Sequence, residues 1–228
     1  MIYKIITFLI ILLSSNLLNA EEFNYIKKEE TIKENKIVYY VSDSEYFHDT
    51  VFTLDKTQES EVLYFFSYNC PSCFAFKDYF KQAETFIKEQ KNIRLEKIPL
   101  FLEKNSINYY NAKLFFLRKI LGFNNQFDEI VFNMIHEQGI SIQSEADISV
   151  LLENYALIEE KDINTELNNK KLNYRLEKSK EISKELKIVS TPSIIIHKNG
   201  KRYLINASDS ETPYNMLFTL IYILQYKN

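Results

Sequence analysis

The apolar positions of this chain change period several times along its length, and the changes delimit its elements. Ile37 to Val41 is β-branched and aromatic and runs into Ser42-Asp43-Ser44, as a strand ending in a turn does. Val62 to Phe66 is continuously apolar and closes on Ser67, which predicts a strand covered on both faces. Beyond Pro71 the residues Phe76, Phe80, Ala83 and Ile87 recur at i, i+4, i+7 and i+11. They predict a helix to about Glu89, with Pro71 in the first turn, where a missing N–H costs nothing. Ile93 to Ile98 predicts a further strand, and strand–helix–strand makes a parallel pair.

Ser193 to His197 and Tyr203 to Ile205 flank Asn199-Gly200, a strong hairpin signal because both turn positions want positive φ. A last helix starts at Thr212-Pro213, capped by Thr212, with Met216, Leu217, Leu220, Ile221 and Leu224 toward the core. Roughly 95 residues separate Ile98 from Ser193, whereas one crossover helix with its loops needs only about 20 to 30. The surplus predicts a helical insertion. Its helices run over 106–121, stopped by Gly122; 126–137, stopped by Gly139; 144–157, with a Ser-x-x-Asp start; and a long polar stretch from about Asp162 to Leu186. The expected class is α/β, with sheet-forming parts at 37–104 and 188–228 around an insertion at 105–187.

Composition narrows the function. The 228 residues are 46% apolar, enough for one core carrying an insertion, and three glycines and four prolines leave no Gly-rich phosphate loop and no extended disorder. A net charge of −3 gives no reason to expect a nucleic acid partner. Lys4 precedes an apolar run from Ile5 to Leu13, then Ser14-Ser15-Asn16 and a small residue, Ala20, before Glu21-Glu22. That is a secretory leader over residues 1–20, cleaved on export. As a membrane anchor the run to Leu18 falls short of the ~20 residues that span a bilayer. Residues 21–36, charged and aperiodic, read as a flexible lead-in.

Beyond the leader the chain has two cysteines, Cys70 and Cys73, at the junction of a buried strand and a helix. A structural disulfide that closes so short a loop gains little chain entropy. A metal site wants more ligands, and His48, His136 and His197 are scattered without ligand spacing, so no metal and no other cofactor is expected. Two inert core cysteines fit poorly at such a junction. A redox pair fits best. Cys70 lies where unpaired N–H groups and the helix dipole favour a thiolate, which makes it the attacking sulfur, and Cys73, one turn on, the shielded resolving one. Pro71 and Ser72 between them tune the pair. The second candidate element is Thr191-Pro192, immediately before an apolar strand; alone it is weak, since most such prolines are trans.

Taken together, Phe65 to Cys73 with Cys70-Pro71-Ser72-Cys73, Ile135-His136-Glu137-Gln138-Gly139 followed by Glu145-Ala146-Asp147, and Val189-Ser190-Thr191-Pro192 followed by Lys198-Asn199-Gly200-Lys201 resemble the DsbA family over about residues 37–226. The resemblance implies a thioredoxin-like fold with a helical insertion. It also implies a cis-proline at Pro192 beside the reactive cysteine, and pairing of the Thr191 backbone with a client peptide. Two departures stand out: Ser72 replaces the histidine of Cys-Pro-His-Cys, and Tyr64 stands where members carry an acidic residue, with Lys97 or Glu96 as remote substitutes.

The activity implied is disulfide donation to reduced, unfolded exported proteins in the periplasm, by a monomer reoxidised through a DsbB-like membrane protein. A reductase or isomerase would use the same cysteines, and a non-catalytic peptide-binding chaperone would not need them. The basic residues Lys170, Lys171, Arg175, Lys178, Lys180, Lys184 and Lys187 are interleaved with Glu166, Glu177, Glu181 and Glu185, which makes a solvated face with ion pairs rather than an anion-binding one. Phe74 is the aromatic expected at the surface beside Cys73, while Phe76 and Phe80 belong to the core. His48 and His197 read as structural or exposed.

Overall fold

A computed structural model describes residues 25–32, 35–43, 60–156 and 160–227; the leader and His48 lie outside them. One six-stranded sheet runs in the order β1 (Ile26–Ile32), β2 (Asn35–Asp43), β6 (Lys201–Asn206), β5 (Ser193–Lys198), β3 (Ser60–Phe66), β4 (Ile93–Pro99). β3 and β4 are parallel and joined through helix α1 (Pro71–Glu89), and the remaining pairings are antiparallel.

β3 explains the arrangement. Val62, Tyr64 and Phe66 enter a core shared with α1 and with the last helix, α7 (Pro213–Tyr226), while Leu63 and Phe65 enter a second core on the opposite face. All seven of its residues are buried, Val62 to Phe66 as their unbroken apolar run predicts. Burying each large apolar side chain contributes about 1.5–3 kcal/mol, so this strand anchors both layers. Asn199 (φ 51°) and Gly200 (φ 71°) make the β5–β6 turn.

Between β4 and β5 the connection is helical. Ser106 caps α2 (Ile107–Ile120), accepting from the Tyr109 N–H at 3.2 Å, and Gly122 at φ 80° turns the chain away. Helix α3 (Gln126–His136) ends before Gly139, at φ 70°. At the start of α4 (Glu145–Ala156) the Ser144 hydroxyl donates to Asp147 Oδ2 at 2.8 Å and accepts from the Asp147 N–H at 3.2 Å.

Two expectations are corrected. The supposed lead-in contains β1, an edge strand that exposes Lys27, Lys28 and Glu29. Charges guard an unpaired edge against other chains, and the same charges erase the period-two pattern that marks a strand. Its anchor is polar: Glu30 accepts from Tyr39 Oη at 2.7 Å, Tyr222 Oη at 2.9 Å and Lys227 Nζ at 2.6 Å. The long polar helix is in fact two, α5 (Glu160–Leu167) and α6 (Lys170–Glu185). Asn168 donates back to the Asn164 carbonyl at 2.8 Å, and Asn169, extended at ψ 130°, accepts from the Lys171 N–H at 2.8 Å. Asparagine side chains thus replace the helical bonds. Leu172 and Leu176 of α6 pack in the larger core, Ile182 in the core on the sheet's other face. On its outer side Lys178 pairs with Glu181 at 2.7 Å and Lys104 with Glu177 at 2.8 Å.

Glu61, at the β3 end remote from the cysteines, lies beside Arg94 and His197 in register, with Arg94 Nη1 3.5 Å from its carboxylate. Burial pushes its carboxyl from 4.5 up to about 7, against the pull of Arg94. A raised folded pKa contributes stability that is full below about pH 4.5 and lost as the pH rises to about 7. Glu61→Gln should therefore match the parent near pH 4 and exceed it at pH 8 by roughly 3 kcal/mol in urea unfolding. A gap independent of pH would contradict this.

Candidate active site

Cys70 is the N-cap of α1, extended at φ −91° and ψ 115°, and Pro71 takes the first helical position. A proline there needs no N–H partner and holds the entering chain, so the next free N–H groups aim back at the cap. The Cys73 N–H donates to Cys70 Sγ at 3.3 Å, and the Cys70 N–H donates to the Ser67 carbonyl at 3.2 Å, closing the turn out of β3. The two residues differ in exposure: Cys70 is half-buried and Cys73 fully buried on the inner face of α1.

Opposite them lies the loop before β5. The Thr191–Pro192 bond is cis, and Cys70 Sγ donates to the Thr191 carbonyl at 3.2 Å. Ser193 pins this loop, its hydroxyl 2.9 Å from the Ser190 carbonyl and 3.0 Å from Asn206 Oδ1. Ser72 and Pro192 border one cleft of about 270 Å³ that continues to Met216 on α7. Cys70, Pro71, Ser72, Cys73, Thr191 and Pro192 thus converge from two segments that lie far apart in sequence.

The two thiols are pushed in opposite directions. Hydrogen bonding from the Cys73 thiol lowers Cys70 most, and the Thr191 side chain and the backbone N–H groups of Cys73 and Ser72 add to it; against partial burial they bring Cys70 from 9.0 to about 6. Burial pushes Cys73 well above its usual range, and the neighbouring Cys70 adds to that. Ser72 is exposed and acts through its backbone.

The thioredoxin family model matches residues 55–213. The chain belongs to the thioredoxin family. Within it the chain is similar to DsbA proteins. The thiol:disulfide interchange protein DsbA of Burkholderia cepacia is 25% identical over 150 residues, 63% of this chain and 66% of that protein, just under two thirds of its length. DsbA of Pseudomonas aeruginosa superposes with a TM-score of 0.66 at 15% identity, over 89% of this chain and 91% of that one. The oxidoreductase DsbA of Xylella fastidiosa gives 0.63 at 20% identity, over 74% and 86%. The fold is therefore the thioredoxin-like α/β fold with a helical insertion.

Behind the cysteines this thioredoxin-family site is built differently from the sequence-based expectation. Tyr64 points from β3 at α1, stacked on Phe80 at 3.7 Å; burial pushes its hydroxyl well up, with Cys73 and Cys70 adding. Lys97 is its register partner on β4 and bridges two carboxylates, Glu84 at 2.9 Å and Asp128 at 3.3 Å. Glu96, the other substitute considered, pairs instead with Lys119 at 2.9 Å. Asp128 also takes Arg118 Nε at 2.6 Å and Nη2 at 2.7 Å and the Tyr68 hydroxyl, so the insertion is tied to the residues that lead into Cys70.

His136 Nε2 lies 2.7 Å from the Tyr68 carbonyl, and its ring stacks on Phe74 at 4.7 Å. Phe74 is accordingly half-buried between insertion and α1, while Phe76 and Phe80 are core. The neglected signal for Glu84 was its place on the apolar face of α1, between Ala83 and Ile87. Among the described residues no cluster of three or more His, Cys, Asp or Glu suits a metal ion.

In the reduced protein, thiolate absorbance should rise in a single one-thiolate step with a midpoint near pH 6. Cys70→Ser should abolish the step. A step that survives in Cys70→Ser would assign it to Cys73 and contradict the geometry.

Proposed function

We propose that this chain is a thiol:disulfide oxidoreductase working as an oxidase, which donates a Cys70–Cys73 disulfide to reduced exported proteins. The observation that supports it is the opposed environment of the two thiols, with Cys70 lowered to about 6 and Cys73 raised by burial. A client thiolate attacks Cys70 Sγ, the half-buried sulfur, and Cys73 leaves. The client's second thiolate then attacks the client sulfur of the mixed disulfide, and Cys70 leaves. A low-pKa thiolate leaves fast and resists being reoxidised, so the pair runs toward oxidation of the client.

Thr191, whose carbonyl already touches Cys70, pairs with the client backbone, and Pro192 with Ser72 shapes the cleft beside it. Turnover returns through a DsbB-like membrane protein in the periplasm. No helix among the described residues is long and apolar enough to cross a membrane.

Cys73→Ser keeps the attacking sulfur and removes the resolver, so it should accumulate client mixed disulfides through Cys70 when expressed in an exporting cell. Wild-type-like absence of adducts would sink the exchange route. Because Ser72 acts through its backbone, Ser72→His should make the pair more oxidising against glutathione. One charge-assisted hydrogen bond of about 1.5–3 kcal/mol corresponds to some tens of millivolts, at ~30 mV per 1.4 kcal/mol. An unchanged or more reducing variant would show that another group sets the potential. A parent pair poised as reducing as a structural disulfide would make the protein a reductase instead.

A further inference from the structure

β1 pairs with β2 on one side, and no strand among the described residues pairs with its other side. Along that open side alternate residues turn their N–H and C=O groups outward, as a template for a further strand. The strand reads Ile26-Lys27-Lys28-Glu29-Glu30-Thr31-Ile32. Its charges discourage strands of other sequence, yet they complement their own reverse.

Two copies of one edge strand pair antiparallel only about a two-fold axis normal to the sheet, which keeps like faces together and sets even positions opposite even ones. With that axis at Glu29, Lys28 of each copy stands opposite Glu30 of the other, and Ile26 stands opposite Ile32. Glu29 meets its own copy, the one repulsive contact, and Lys27, 2.7 Å from Glu29 within each chain, neutralises it. Moving the axis to Lys28 would set Ile26 against Glu30, and moving it to Glu30 would set Lys28 against Ile32. Charge and apolar matching therefore select one register.

The face that carries these pairs continues onto α7. Glu30 accepts from Tyr222 of α7, and Ile32 borders an apolar cavity of about 320 Å³ with Phe218, Ile221, Tyr222 and Tyr226. By the alternation of a strand, Ile26 and Lys28 lie on the same face. Ile26 is 60% exposed and Tyr226 68%. No residue of α7 from Pro213 to Tyr226 is charged, although a helix at a protein surface ordinarily presents a charged face to water. In the selected register Ile26 of one copy reaches Ile32 of the other, at the edge of this cavity.

We propose that the protein forms a two-fold dimer through β1, joining two six-stranded sheets into one continuous sheet, with Ile26 of each copy covering the α7 cavity of the other. This replaces the monomer that the family resemblance implies. Backbone bonds between the β1 strands hold the copies together, the Lys28–Glu30 pairs set the register, and the contacts at Ile26 supply apolar burial. The cleft at Ser72 and Pro192 borders the start of α7, at Pro213 and Met216, so both Cys70 sites lie outside the interface. The pairing is independent of the redox chemistry.

Sedimentation equilibrium and hydrogen exchange of the purified protein test the dimer. The parent should dimerise in the micromolar range, and the outward-facing amides of β1 should be protected only while it is dimeric. Lys28→Glu sets glutamates opposite each other at two places in the dimer and should weaken it about tenfold or more, and Ile26→Lys should act alike. Both side chains stand on the exposed edge, so both variants should keep the parent's rate with oxidised glutathione, which shows that they fold. In a Cys70→Ser, Cys73→Ser background, Glu29→Cys should crosslink to its own copy across the axis. Thr31→Cys should not, because its two copies lie roughly 14 Å apart along the strands, beyond the reach of a disulfide. A parent monomeric throughout the micromolar range, a dimer indifferent to Lys28→Glu and Ile26→Lys, or crosslinking at position 31 and not at 29 would overturn the proposal. A monomer that co-sediments with vesicles of phosphatidylethanolamine and phosphatidylglycerol would overturn it too, and would give the α7 face to a lipid surface.

Discussion

The free N–H groups in the first turn of α1 point at one sulfur, and most of what surrounds them serves to keep that sulfur in place. Pro71 starts the helix without an N–H of its own, so the donors that remain, those of Ser72 and Cys73, fall on Cys70. The helix is held by its inner face, where Phe76, Phe80, Ala83 and Ile87 meet β3. The strand is in turn buried on both faces. The loop carrying Thr191 and Pro192 reaches Cys70 because Ser193 ties its end to Asn206 at the end of the neighbouring strand.

The insertion contributes to this constraint as well as to bulk. Tyr68, two residues before Cys70, donates its hydroxyl to Asp128 and offers its carbonyl to His136, both on α3. Asp128 is locked by Arg118 of α2 and Lys97 of β4. Three elements therefore converge on the turn that presents the reactive sulfur. A buried ion pair is a weak source of net stability but a strong restriction on alternatives, which suits a position where half an ångström of drift would lose the thiolate's donors.

Local rules made much of this readable from residues alone. The Ser-x-x-Asp start at Ser144, the cap at Thr212, the Asn199-Gly200 turn and the Cys-x-x-Cys at a strand–helix junction each depend on a few neighbouring positions, and each is found as expected. What was not readable depends on tertiary partners. The strand β1 is polar because it is an edge, and Glu30 secures it through Tyr222 and Lys227 nearly two hundred positions away. The break at Asn168-Asn169 is a side-chain substitution for backbone bonds in a segment whose charge pattern is otherwise continuous. The charged cluster behind Cys73 gathers from β4, α1 and α3; of its members only Lys97 was singled out from the sequence, and Glu84, a carboxylate on an apolar helix face, was a signal left unread.

If the thiolate at the start of α1 governs the chemistry, it must also govern stability, because a disulfide that oxidises others readily is one whose fold prefers the dithiol; DsbA is the standing example. Closing a loop this short removes little entropy from the unfolded chain, so the usual gain from a crosslink is small here. The thiolate, by contrast, is stabilised only in the folded protein, at any pH above about 6. The direct test is urea unfolding of the oxidised and reduced proteins side by side at pH 7. The account predicts a higher midpoint for the reduced form; a higher midpoint for the oxidised form would contradict it.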